Sequence, residues 1–216
     1  MNISGPGSII SAGAVGFGKT STTTCTFGSN AEMTVANDGV LDVAGDINVY
    51  HGILKLDGGT VNAGNLLLHG EQLIDPFDQN ETGDTRVILS GSGQINANVN
   101  NGGGFVAPGL SAGLLSISGD YSQAVDGTLS IELGGTDNTD PLNLQYDRIV
   151  MEGFAMLDGT LDVSLLDDGS GSFVPQQGNS FGFLSATGGF AGMFSILNLP
   201  ELSPGLAWQI NPGGTT

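Results

Sequence analysis

Two stretches of this sequence match patterns that handle phosphate or acyl groups. Gly13-Ala14-Val15-Gly16-Phe17-Gly18-Lys19-Thr20 fits the phosphate-cradling loop G-x-x-x-x-G-K-S/T. That loop works through backbone N–H groups gathered at a helix N-terminus. Here the β-branched run Thr20-Ser21-Thr22-Thr23-Thr24-Cys25-Thr26 follows, which favours strand, and no βαβ pattern lies downstream. Gly109-Leu110-Ser111-Ala112-Gly113 fits the nucleophile elbow G-x-S-x-G. An elbow needs a helix after it and a triad histidine later in the chain. Both histidines, His51 and His69, precede Ser111. The first match reads as coincidence in a glycine-rich chain, and the second as a turn. No catalytic or cofactor-binding residue is assigned, and the chain is not expected to be an enzyme.

The acidic residues suggest a different chemistry. Asp75, Asp78, Asn80 and Asp84 form one group, and Asp137, Asp140 and Asp147 another, with Asp167 and Asp168 beyond. Such groups supply the hard oxygen ligands that calcium takes. None has the EF-hand spacing, so solvated loops are the favoured reading, and calcium is the one cofactor these loops could hold. A lyase acting beside a uronate needs cations for the substrate carboxylates. Only Lys19, Lys55, Arg86 and Arg148 are basic, and they are scattered. A glycosidase needs two positioned carboxylates, and spacing selects no pair from 22. Asn2-Ile3-Ser4 and Asn80-Glu81-Thr82 are glycan acceptor sequons, with Asn2 and Asn80 as acceptors, and Thr20 to Thr26 could take O-glycans.

Composition narrows the partners. The formal net charge is −18. Phosphate backbones need clustered Lys and Arg, so nucleic acid is excluded as a partner. Anionic membrane surfaces are disfavoured for the same reason. Cys25 is the single cysteine, so no intrachain disulfide can form. No stretch approaches the ~18 apolar residues of a transmembrane helix. No basic and apolar leader opens the chain. A chain this poor in Lys and Arg suggests export, so a signal peptide is expected to have been removed already.

The elements that would carry any such residues are strands. There are 37 glycines in 216 residues, against ~7% in ordinary proteins, which implies many tight turns. Helical periodicity is nearly absent. The phrase Gly-x-Leu-x-apolar recurs instead, as in Gly39-Val40-Leu41-Asp42-Val43, Gly52-Ile53-Leu54-Lys55-Leu56, Gly113-Leu114-Leu115-Ser116-Ile117, Gly127-Thr128-Leu129-Ser130-Ile131 and Gly159-Thr160-Leu161-Asp162-Val163. In each copy the Leu should point inward and the polar residue between should face water. Short irregular repeats suit a right-handed parallel β-solenoid over residues 1–112, with a polar insertion loop at 71–86. Residues 113–210 read as terminal rungs followed by an antiparallel, sandwich-like cap, and 211–216 as a flexible tail. Strands are expected at Arg148–Met151, Met156–Leu166, Ser180–Leu184, Gly192–Leu197 and Leu206–Ile210.

Val106-Ala107-Pro108-Gly109-Leu110-Ser111-Ala112-Gly113-Leu114-Leu115-Ser116-Ile117-Ser118-Gly119-Asp120-Tyr121 resembles the Pro-Gly-x-Ser-x-Gly-x-Leu-x-apolar-x-Gly-Asp-Tyr signature of autotransporter-type β-solenoids. The later run from Phe181 to Trp208 is similar to the ending of secreted bacterial proteins that often carry a PEP-CTERM sorting segment. The resemblance spans roughly Gly91 to Ile210. It implies an exported bacterial protein, extracellular or at the cell surface. One family strand, expected after the Trp, is missing here. These features suggest a non-catalytic structural subunit of a filament, sheath or adhesive layer. Self-association would run head to tail by β-strand addition. The donor segment would include Ser8, Ile9, Ile10, Val15 and Phe17, and the acceptor would lie near Trp208. The alternative is a cell-surface β-helix protein that binds or degrades carbohydrate, with surface glycans as partners.

Overall fold

A computed structural model describes residues 32–70, 86–109, 111–140, 142–167, 169 and 171–211, together with the backbone of strands Asn2–Ser4 and Ile9–Ala12. Among the described residues the fold is all-β and contains no helix. The first strands are β1 (Asn2–Ser4), β2 (Ile9–Ala12), β3 (Glu32–Ala36), β4 (Val40–Val43) and β5 (Ile47–Val49). Two long strands follow, β6 (Gly52–Leu68) and β7 (Val87–Asn101). Then come β8 (Phe105–Ala107), β9 (Leu114–Ile117), β10 (Tyr121–Gln123) and β11 (Thr128–Leu133). The last are β12 (Arg148–Met151), β13 (Ala155–Leu157), β14 (Thr160–Leu165), β15 (Leu184–Ala186), β16 (Phe190–Gly192) and β17 (Ile196–Asn198).

Every ladder between these strands is parallel, and the ladders fall into three series. The first runs β1, β3, β6, β7, β8, β11, β14, β17. The second runs β2, β4, β6, β7, β9, β12, β15. The third runs β5, β6, β7, β10, β13, β16. β6 and β7 belong to all three, because their pairing shifts register at Asp57/Gly59 and Asn62/Asn65 and turns into the next series.

The registers stack like on like. In the first series Met33, Leu54, Leu89, Val106, Leu129, Leu161 and Leu197 are successive Cα partners. In the second, Leu41, Val61, Ile95, Ile117, Met151 and Ala186 follow one another. In the third the column is Ile47, Leu66, Val99, Tyr121, Ala155 and Phe190. These columns are the core. The inward Leu of the repeated phrase supplies much of them, and alternation supplies the rest, as β11 shows with buried and half-buried positions in strict turn. Gly91 marks a close backbone approach: its φ is 94°, and a Cβ there would sit 1.9 Å from the Leu56 carbonyl oxygen. Only glycine fits such a place.

Buried polar groups close one corner. Asn101 and Gln123 are 1% and 3% exposed. The Gln123 Nε2 donates to the carbonyls of Asp158 at 2.7 Å and Thr160 at 3.0 Å, and its Oε1 accepts from the Tyr121 hydroxyl at 2.6 Å. Backbone carbonyls left over where the chain leaves a strand are satisfied this way. Burial raises the pKa of the Tyr121 phenol, so it stays a donor.

The antiparallel cap expected for the second half is corrected. β9 through β17 continue the parallel ladders, and the ladders cross Ala112 and Gly113 without a break. The antiparallel pairings among the described residues are two isolated bridges, Leu133 with Tyr146 and Asp167 with Ser172. The connections explain this. A parallel neighbour needs a crossover of a dozen residues or more, and the intervening strands supply it: even the two-residue link between β13 and β14 carries the chain into another series rather than back beside its predecessor. The chain between β11 and β12 is long enough to carry Arg148 into the second series instead. Residues 206–210, expected as a strand, form none.

Candidate functional site

The elbow motif is a tied turn. Gly109 has a φ of 94°, and a Cβ there would lie 2.0 Å from the Ser111 carbonyl oxygen. Behind the turn lies Asp147, 1% exposed. Its Oδ1 accepts from the Gly113 N–H at 2.8 Å and its Oδ2 from the Glu132 N–H at 2.9 Å. One carboxylate thus joins the turn before β9 to β11. Burial pushes its pKa up to about 7, against the pull of the two N–H donors. Ser111 is exposed on the outside of this turn. The histidines are engaged elsewhere. His69 stacks on Tyr50 with ring centroids 4.2 Å apart and shares a 2.8 Å hydrogen bond with the Asn48 Oδ1, and His51 is buried.

The calcium candidates separate in the same way. Asp137 accepts from the Thr139 N–H and hydroxyl at 2.9 and 2.7 Å, which lowers its pKa. Asp140 accepts from the Leu142 N–H at 2.9 Å. Asp167 accepts from the Gly169 N–H at 2.8 Å. These are turns in which a short acidic side chain bonds the backbone ahead of it. Asp147 is committed to the interior, so Asp137, Asp140 and Asp147 do not converge. Among the described residues no group of three His, Cys, Asp or Glu could hold a metal ion. Asp75, Asp78, Asn80 and Asp84 lie outside the described residues, as do Ser8, Val15, Phe17 and the phosphate-loop match. Asn2 lies in β1, and Ile9 and Ile10 lie in β2, which pairs with β4 of its own chain.

The C-terminal end gathers the remaining features. Among the described residues β15, β16 and β17 pair only with β12, β13 and β14, so one edge of each stays open. Leu197 continues a column whose previous members, Leu129 and Leu161, are 0% exposed, yet Leu197 is 46% exposed and its neighbour Ile196 52%. Beside this edge is an aromatic cluster that sequence reasoning reached only through Trp208. Phe181 meets Tyr146 edge-on at 5.6 Å, Phe173 edge-on at 6.1 Å and Trp208 at 6.2 Å. Trp208 is fixed by donating from Nε1 to the Pro200 carbonyl at 2.8 Å. Aromatic walls and buried core residues border a solvent-open hollow of about 700 Å³. Its sequence signal is the crowding of Phe173, Phe181, Phe183, Phe190, Phe194 and Trp208 toward the end of the chain. No protein-family model and no curated protein matches the chain, so the geometry of this C-terminal end carries the functional reading.

Proposed function

We propose that this chain is a non-catalytic structural protein of a bacterial surface, a β-solenoid whose copies stack end to end into a filament, sheath or adhesive layer. The observation that carries the reading is the uncovered foot of the first core column. A strand edge with open N–H and C=O groups and half-exposed Leu and Ile is a template for another strand of the same polarity. β1 and β2 are the outermost strands of their series at the opposite end. Parallel ladders keep one direction throughout, so the first strands of one copy suit the last strands of the next. Such a contact joins unlike surfaces and propagates as a fibre.

Light scattering after size exclusion, with negative-stain electron microscopy, tests this. The wild-type chain is expected to form linear particles that lengthen with concentration. Leu197→Lys places a charge on the open edge, and its long stem can reach water without unfolding the end. That variant should stay monomeric with an unchanged melting temperature. A wild-type chain that is monomeric at its solubility limit, or a variant that polymerises equally well, overturns the proposal.

A further inference from the structure

We infer that the C-terminal hollow is a binding site for a neutral, lipid-like molecule: an acyl or isoprenoid chain with an uncharged hydroxyl, ester or carbonyl head. This goes beyond end-to-end assembly and does not rest on it. The volume, about 700 Å³, lies within the ~300–1,000 Å³ of small-molecule sites.

The lining selects the chemistry. The floor is buried core, with Ile131, Leu133 and Leu157 in the lining. Phe181 and Trp208 form the wall and are only partly buried. The chain carries 22 acidic and four basic residues, yet among the described residues no charged one lines the hollow. A fatty-acid carboxylate would therefore lose its water without gaining a cation. It would also approach a protein of net charge −18. A cationic head would meet no carboxylate in the lining. The polar side chains of the lining, Gln176, Gln177, Asn179, Ser180, Gln209 and Asn211, all sit at exposed positions. The Asn179 Oδ1 accepts from the Gln176 N–H, and the Gln209 Nε2 donates to Asn211. The other atom of each amide remains, Asn179 Nδ2 as a donor and Gln209 Oε1 as an acceptor. Uncharged amide and hydroxyl groups at the mouth of an apolar, partly aromatic hollow match a chain with a neutral head. A sugar would need polar partners at the floor as well.

Trp208 is the only tryptophan and sits in the wall, so energy transfer from it reports occupancy directly. The full chain and its Leu197→Lys variant are titrated with the neutral probe N-phenyl-1-naphthylamine. The probe is then displaced with monoolein, oleate, an oleyl trimethylammonium salt or cellohexaose, with each lipid kept below its micelle threshold. Saturable transfer is expected in both proteins, with displacement by monoolein. Oleate, which shares the chain but carries a charge, should bind about tenfold or more weakly. Val163→Phe, which adds bulk inside the hollow, should abolish transfer. Gln209→Lys should raise oleate affinity relative to monoolein, and this reads the same site should the first variant fail to fold. Absence of saturable transfer overturns the inference. So does displacement by oleate, the ammonium salt or cellohexaose as strong as by monoolein, or full binding by a folded Val163→Phe chain. Binding by the Leu197→Lys monomer separates this inference from assembly, since either can fail alone.

Discussion

Asp147 is the residue whose role its neighbours in sequence least suggest. Its carboxylate is buried and ties Gly113 to Glu132, yet its pKa is pushed up to about 7 because desolvation outweighs the two N–H bonds. The folded chain therefore holds this proton more tightly than the unfolded chain. The stability linked to it is fully present below the ordinary carboxylate range. It declines as pH rises and is lost once pH passes about 7. Urea midpoints measured between about pH 4 and about pH 8 should fall for the wild type relative to Asp147→Asn. The variant turns an amide N–H₂ toward a backbone N–H, so at neutral pH it should be less stable by about 1–3 kcal/mol. A midpoint difference that does not move with pH would rule out Asp147 as the titrating group. Serine chemistry at Ser111 was suggested by spacing alone. The tie through Asp147 gives that spacing a mechanical reason.

The columns act at the scale of elements. Each strand contributes inward side chains to stacks of equivalents above and below, so a truncation removes contacts on two sides. Leu129 lies between Val106 and Leu161 and is fully buried. Leu129→Ala should cost about 2–5 kcal/mol in denaturant unfolding. Leu197 has such a partner on one side only, and Leu197→Ala in monomeric protein should cost less than about 1 kcal/mol, as surface truncations do. Equal losses at the two sites would mean that the end of the column is covered. The repeated Gly-x-Leu-x-apolar phrase made the inward leucines legible, including Leu41, Leu54, Leu115, Leu129 and Leu161. It did not reveal which strand each would meet. Residues 102–135 hold four further strands of the three parallel series, β8 to β11.

At the scale of the whole molecule, charge opposes stacking. Copies carrying −18 each repel one another, while an edge-to-edge contact gains backbone hydrogen bonds and apolar burial that salt does not screen. Raising ionic strength shortens the Debye length from ~10 Å at 0.1 M to ~3 Å at 1 M. Particle length at fixed concentration should therefore increase with added sodium chloride. A decrease would point to ion pairs between copies and against an interface built on strand edges.

Composition and pattern alone determined that this chain is all-β, that its glycines make turns and that the leucines of its repeated phrase face inward. Those properties are local, set by a period of two and by the backbone freedom of glycine. Tertiary structure decided the rest. Side-chain alternation is the same in parallel and antiparallel strands, so direction was fixed by turns that carry each strand into another series, and the expected antiparallel cap was replaced by continued parallel ladders. Burial of Asp147 required Gly113, Glu132 and the strand at Arg148 to meet. The hollow required Ile131, Phe181 and Trp208 to converge from three separate stretches. Contacts between residues this far apart in the chain depend on the path between them, which no short window of sequence encodes.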